Sequence, residues 1–386
     1  LSVPSSIAEI APLATHWRRE LHRNPELLYD LHRTAGFVAA RLREFRLDRV
    51  VTGIGKTGVV GVLHGKAPGR TIAIRADMDA LPLEEITGAA WASTIGGAMH
   101  ACGHDGHTAM LLAAAGVLAA RRAFAGTVVF VFQPAEEGGA GALAMIEDGL
   151  LDDFGIEEIY GLHNMPGLEV GHFALRAGPI MASADRFYID ITGKGGHAAR
   201  PHTTVDPIVA GAQLVTALQS IVSRNVDPLH SGVVSVTTFH AGTTDNIIPE
   251  TARLSGTFRS FDKTVRLDLE AGIDRIVRTL PPVFGATAEV SFKRGYPVTV
   301  NSADQARFVA AVAADLVGAD RVDAETPPLT IAEDFSYYLE RRPGAFLFAG
   351  NGPSAGLHSP AYDFDDSGIV HGAGLWTRLV ETRLPL

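Results

Sequence analysis

Apolar positions recur along the chain in two different rhythms, and the change from one to the other marks a change of architecture. Ile7, Ile10, Leu13, Trp17 and Leu21 fall at helical spacing and predict a helix over 7–22; Asn24-Pro25 breaks it before a second helix over 34–46. Runs rich in Val, Ile and Phe follow at 59–63, 71–75, 127–132 and 158–162, with helical stretches at 107–121 and 141–147. Strands that are continuously apolar and alternate with helices predict a mostly parallel sheet covered on both faces.

The middle of the chain reads as strand 186–192, helix 207–223, strands 233–240 and 252–259, helix 263–280 and strand 287–292. That β-α-β-β-α-β order is the order of a ferredoxin-like unit. Helix 304–317, strand 345–348 and helix 368–383 then resume the first style. The expected fold is therefore α/β: a mostly parallel-sheet core formed by 1–177 and 296–386, with an α+β domain inserted at 178–295.

Composition narrows the function classes. With 386 residues, 46% hydrophobic and 20% charged, the chain is long enough for two packed domains. The formal charge of −10 belongs to the core, because 178–296 holds 12 Lys/Arg against 11 Asp/Glu. Without a basic block the phosphate attraction behind nucleic-acid binding is missing. The longest apolar run, 109–120, is shorter than the ~18 residues of a membrane span, so no membrane partner is expected. One cysteine, Cys102, excludes an internal disulfide, and Leu1-Ser2-Val3-Pro4 lacks the basic start of a secretory leader. Both read as cytoplasmic.

Two motif matches fail on context. Gly53-Ile54-Gly55-Lys56-Thr57-Gly58 fits a dinucleotide fingerprint but precedes a strand instead of a helix. Gly352-Pro353-Ser354-Ala355-Gly356 fits a nucleophile elbow, yet Pro360 keeps the following residues from forming the required helix.

The chemistry gathers elsewhere. His100, Cys102, His104 and His107 crowd one glycine-containing turn before a helix, offering a thiolate and imidazoles to one ion. Gln133-Pro134-Ala135-Glu136-Glu137, His163-Asn164 and Asp77-Met78-Asp79 each come directly after a predicted strand, where open α/β sheets place their sites, and His358 lies in a later loop. Adjacent carboxylates point apart, so one can bind metal while the other handles a proton. Each segment alone would also suit a turn, a cap or a charged loop.

Taken together and in order, His22-Arg23-Asn24-Pro25-Glu26, Asp77-Met78-Asp79-Ala80-Leu81-Pro82, the 100–107 segment, Gln133–Glu137, Gly193-Lys194-Gly195-Gly196-His197, Ala332-Glu333-Asp334-Phe335 and Leu357-His358 resemble the amidohydrolase branch of the aminoacylase/carboxypeptidase G metallopeptidase family. The resemblance covers nearly the whole chain. It implies two divalent ions (Zn, Mn, Co or Ni) held by Cys102, His104, Glu137, His163 and His358, with Asp79 orienting a ligand. It implies Glu136 as general base, and His197 and Asn246 as residues reaching the substrate carbonyl from a lid. Arg259 would suit the substrate carboxylate. The inserted domain would serve as lid and dimerisation domain of a homodimer or homotetramer. The activity implied is hydrolysis of N-acyl-L-amino acids, small-molecule substrates, to a carboxylic acid and a free amino acid; a dipeptidase or carboxypeptidase using the same site is the alternative.

Overall fold

The fold is that of a computed structural model, which describes residues 5–386; the Leu1-Ser2-Val3-Pro4 reading lies outside the described residues. Contacts divide the chain into two compact units. The first runs to Ile180 and takes in Val300–Pro327 and Asp334–Leu386; the second is Met181–Thr299 with Pro328–Glu333. The second unit thus starts and ends a few residues later than the expected 178–295 and includes a short return segment that no composition change announces.

In the first unit, strands β1 (Arg49–Ile54), β2 (Gly58–His64), β3 (Ala67–Asp77), β4 (Ala125–Gln133) and β5 (Glu158–Met165) join Gly344–Gly350, Phe173–Ala174 and Val322–Asp323 in one sheet. Its order is β1-β2-β4-β3-β5, then Gly344–Gly350, Phe173–Ala174 and Val322–Asp323. The four middle strands, β4, β3, β5 and Gly344–Gly350, are parallel, and β1 and β2 add antiparallel edges. Val128–Phe132 and Ala345–Leu347 are fully buried, as expected for strands covered on both faces. The Gly53–Gly58 stretch is the turn of the β1–β2 hairpin, with Gly53 and Gly55 at φ +91° and +60°.

Helix α1 (Ser5–Arg23) is followed by α2 (His32–Glu44), and α1 and the final helix Ile369–Arg383 pack on α3 (His104–Arg121). Of the residues expected on the inner face of α1, Ile7, Trp17 and Leu21 are buried and Leu13 is 48% exposed; Ala14, Arg18 and His22 are buried beside them. The buried face thus includes two ionisable residues, which apolar spacing could not reveal. Helix α3 begins three residues earlier than the expected 107, because left-handed Gly103 (φ +82°) ends the loop and His104 is already helical.

The second unit is a four-stranded antiparallel sheet in the order Gly232–Ala241, Thr251–Ser260, Asp185–Thr192, Thr287–Arg294. Along Asp185–Thr192 burial alternates strictly, so Phe187, Ile189 and Ile191 face inward. Helices Pro207–Ser220 and Lys263–Thr279 cover that face with Leu214, Leu218, Leu269, Ile273 and Val277. Both start at an aspartate cap, Asp206 and Asp262, whose carboxylates accept from the first free amides.

Candidate metal centre

Parallel neighbours bring their carboxyl ends to the same edge of a sheet, and here those ends carry the chemistry. Asp77 closes β3 with Asp79 just beyond; Glu136 and Glu137 follow β4; His163 and Asn164 occupy the end of β5, one step inside the strand and not after it; the loop after Gly344–Gly350 delivers His358. The turn before α3 supplies Cys102 and the first helical turn supplies His104.

Cys102 Sγ lies 3.3 Å from His163 Nε2 and 3.5 Å from His358 Nε2, and His358 Nε2 lies 3.2 Å from Glu137 Oε1. Ligand atoms of Cys102, His104 and His163 are mutually within 4.8 Å, and so are those of Cys102, Glu137 and His358. The two triplets share the sulfur. About 3.5 Å is the separation expected of a thiolate and an imidazole nitrogen on one tetrahedral ion. Glu136 is buried, close to both His104 and Glu137. Its Oε1 accepts from the backbone N–H of Asp334 at 3.4 Å. Asp79 accepts from the backbone N–H groups of Glu136 (3.0 Å) and Glu137 (3.1 Å) and lies 3.5 Å from His104 Nδ1, so it fixes the carboxylate turn and touches one imidazole.

The electrostatics are those of a site short of positive charge. Burial opposes a proton on His104, yet Asp77, Asp79 and Glu137 raise it to about 10. Burial, with Glu137 and Glu136 nearby, pushes the Cys102 thiol well above its usual range. His163 is pushed down to about 3 by burial and by His107. Its Nδ1–H donates to the Asn164 carbonyl (2.7 Å), which leaves the Nε2 lone pair toward the sulfur. Both ring nitrogens of His104 and Glu137 Oε1 are buried and, apart from ion-pair contacts at 3.2–3.6 Å to Asp77, Asp79 and His358, make no well-formed hydrogen bond among the described residues. Buried polar atoms are nearly always satisfied, so these call for a partner of another kind. One sulfur, three imidazoles and a carboxylate suit a borderline divalent cation, and the residues present fit a metal centre.

The other histidines of the 100–107 window are spoken for or set aside. His107 donates from Nδ1 to Asp77 Oδ1 (2.6 Å) and accepts at Nε2 from the Asn164 backbone N–H (2.9 Å). His100 is buried, belongs to neither triplet, and is pushed down to about 3 by burial.

The three remaining candidates belong to the second unit. His197 is exposed in a two-residue strand paired with Ile247–Ile248, and the Ala198 N–H donates to the carbonyl of Asn246 (3.0 Å), so His197 and Asn246 sit on adjoining turns. His197 Nδ1 accepts from the Ala199 N–H (3.0 Å), which places the proton of the neutral ring on Nε2. Arg259 lies at the far end of strand Thr251–Ser260, and burial beside Arg186 lowers its pKa. It makes no ion pair among the described residues.

Sequence reasoning assigned no role to a buried guanidinium under the site. Arg75 donates to Asp77 (2.7 Å), Gln133 (2.9 Å) and Asp334 (3.0 Å), tying the ends of β3 and β4 to the 332–335 motif. An arginine interrupting the apolar run 72–76 was the available signal.

The family model of peptidase family M20/M25/M40 matches residues 73–382, which takes in every residue of both triplets. The chain belongs to this family. Among its relatives, an N-acetyl-L-cysteine deacetylase of Bacillus subtilis is 43% identical over 92% of this chain and 84% of its own length. Thermostable carboxypeptidase 2 of Saccharolobus solfataricus is 42% identical over 90% of this chain and 88% of its own. The crystal structure of a dinuclear metal-binding M20 peptidase from Bacillus subtilis superposes with a TM-score of 0.86 at 36% identity, covering 98% of this chain and 99% of that one. No helix among the described residues is long and apolar enough to cross a membrane.

Proposed function

We propose that this chain hydrolyses the amide bond of N-acyl-L-amino acids to a carboxylic acid and a free amino acid. It is a metal-dependent amidohydrolase of the M20 family. The observation that carries the reading is the pair of triplets meeting at Cys102 with Glu136 beside them. One ion is assigned to Cys102, His104 and His163, the other to Cys102, Glu137 and His358. Zinc, manganese, cobalt and nickel all suit these donors. Bound there, such ions lower the pKa of water and polarise a carbonyl.

The chain's own groups do the rest. Glu136, held by the Asp334 amide, takes the proton from the attacking water and returns it to the leaving nitrogen. His197, with its N–H on Nε2, donates to the developing oxyanion, and Asn246 on the adjoining turn supports it. Arg259 pairs with the substrate carboxylate. Residues 178–295 act as lid and dimerisation domain of a homodimer or homotetramer, which closes over the substrate and excludes water. A chain with one cysteine forms no internal disulfide, which supports a cytoplasmic location.

The test is hydrolysis of N-acetyl-L-methionine, hippurate and a dipeptide by chelated protein, with Mn, Zn, Co or Ni restored singly. Metal-restored release of amino acid from the N-acyl substrates is expected. The carboxypeptidase relative supports a second reading on the same site, and preference for the dipeptide would favour it.

A further inference from the structure

Asn164 stands next to a proposed ligand, His163, and every polar group it has is engaged around the candidate metal centre. Its carbonyl accepts from His163 Nδ1–H (2.7 Å), and its backbone N–H donates to His107 Nε2 (2.9 Å). Its side-chain nitrogen donates to the Cys102 carbonyl (2.5 Å) and lies 3.1 Å from His107 Nε2; its side-chain oxygen accepts from the Tyr362 hydroxyl (2.7 Å). The amide can be oriented only this way. The Cys102 carbonyl has no hydrogen to give, so NH2 must face it, and the Tyr362 O–H then meets the oxygen. His107 is held in the matching tautomer because Asp77 takes its Nδ1–H (2.6 Å).

A second observation concerns the turn itself. Gly103 adopts φ +82°, and a Cβ there would overlap Asn164 Nδ2 and Tyr362 Oη. The backbone between Cys102 and His104 is therefore pressed directly onto the Asn164–Tyr362 pair, with no side chain between them. Asn164 and Tyr362 are both fully or almost fully buried, so solvent does not compete for these bonds.

We infer that Asn164, oriented by Tyr362, is a positioning residue that locks the Cys102–Gly103 turn against the His163 ring. Its backbone carbonyl holds the His163 ring while its side-chain amide holds the Cys102 carbonyl, so one residue sets the sulfur and the imidazole nitrogen at the 3.3 Å spacing that a single ion needs. It acts through Cys102 and His163 and touches no reacting atom. The inference rests on the reading of Cys102, His104 and His163 as an ion site.

The experiment loads Co²⁺ into the metal-free protein and records the thiolate-to-cobalt charge-transfer band together with affinity, by competition with a chromophoric chelator. Tyr362→Phe removes one hydroxyl without changing shape; it is expected to shift the band and weaken Co²⁺ by about 3- to 10-fold. Asn164→Ala is expected to weaken it by about 10- to 100-fold, the usual range for residues that orient ligands. Leu269→Ala, in the apolar core of the second unit, controls for lost stability and leaves the band in place. A band and affinity unchanged in Tyr362→Phe and Asn164→Ala, or changed no more than in Leu269→Ala, overturn the inference. Absence of any thiolate band in the unsubstituted protein overturns the ion-site reading beneath it, a separate result.

Discussion

Helices α3 and Lys263–Thr279 have nearly equal lengths, 18 and 17 residues, and are buried in opposite ways. Lys263–Thr279 hides one stripe, Val265, Leu269, Gly272, Ile273 and Val277, and turns charges to solvent. Helix α3 is buried on nearly every side, including His104, Asp105 and His107 in its first turn. The same contrast runs through the two units. In the second, the core is apolar, and the buried Asp185 carboxylate is met by both arms of Arg266 at 2.6 and 2.7 Å. In the first, Arg18, His22, Asp105, Arg75, Asp77 and Asp334 are all buried close to the site. Burying charge costs several kcal/mol per ion unless it is paired, so such a concentration marks where the structure serves chemistry and not stability alone.

Changes to the two regions should therefore fail differently. Glu136→Gln should lower kcat by about 10²- to 10⁴-fold, the usual yield of a positioned base. Its metal content by elemental analysis should stay unchanged; near-normal turnover would remove Glu136 from the mechanism. Leu269→Ala should cost about 4 kcal/mol in denaturant unfolding, as a cavity in a close-packed core does. Kinetic constants of its folded fraction would be the sharper readout, since no proposed catalytic residue neighbours it in sequence.

His22→Gln probes the buried charges of the first unit. Burial works against a proton on His22, but Asp105 at 2.8 Å raises its pKa to about 9 from 6.5. A raised pKa stabilises the fold fully below pH 6.5, and that contribution disappears as pH climbs through 9. The substitution should thus cost of order 3 kcal/mol at pH 6 and much less at pH 9.5. An equal loss at both pH values would mean that packing, and not the charge pair, is what His22 supplies. Asp190→Ala breaks an exposed 2.6 Å pair with Arg253 on the second unit's sheet and should change stability by no more than about 0.5 kcal/mol.

What could be read in advance follows from the same contrast. The strands of the second unit betray themselves by alternation, and its helices by an apolar stripe. The parallel strands of the first unit show only as apolar runs, and β1, exposed or half-exposed throughout, left no signal to count. The candidate metal donors stood out because thiol, imidazole and carboxylate at strand ends are uncommon together. Arg75 and Tyr362 gave no such signal, and Asn164 showed only as the neighbour of His163, because each is engaged by a hydrogen bond to a residue remote in sequence: Asp334, Asn164 and Cys102 respectively. The second unit's return segment, Pro328–Glu333, was hidden for a similar reason, since chain direction and not composition brings it back.

Cys102 is the sole cysteine of the sequence and the one side chain common to both triplets. With no second thiol in the chain, its oxidation has no intramolecular disulfide in which to stop and proceeds by way of the sulfenic acid. On the proposed assignment, peroxide would then strip a donor from both ion sites at one atom, so the centre's tolerance of oxidants depends on how well a single sulfur, 6% exposed, is kept from them.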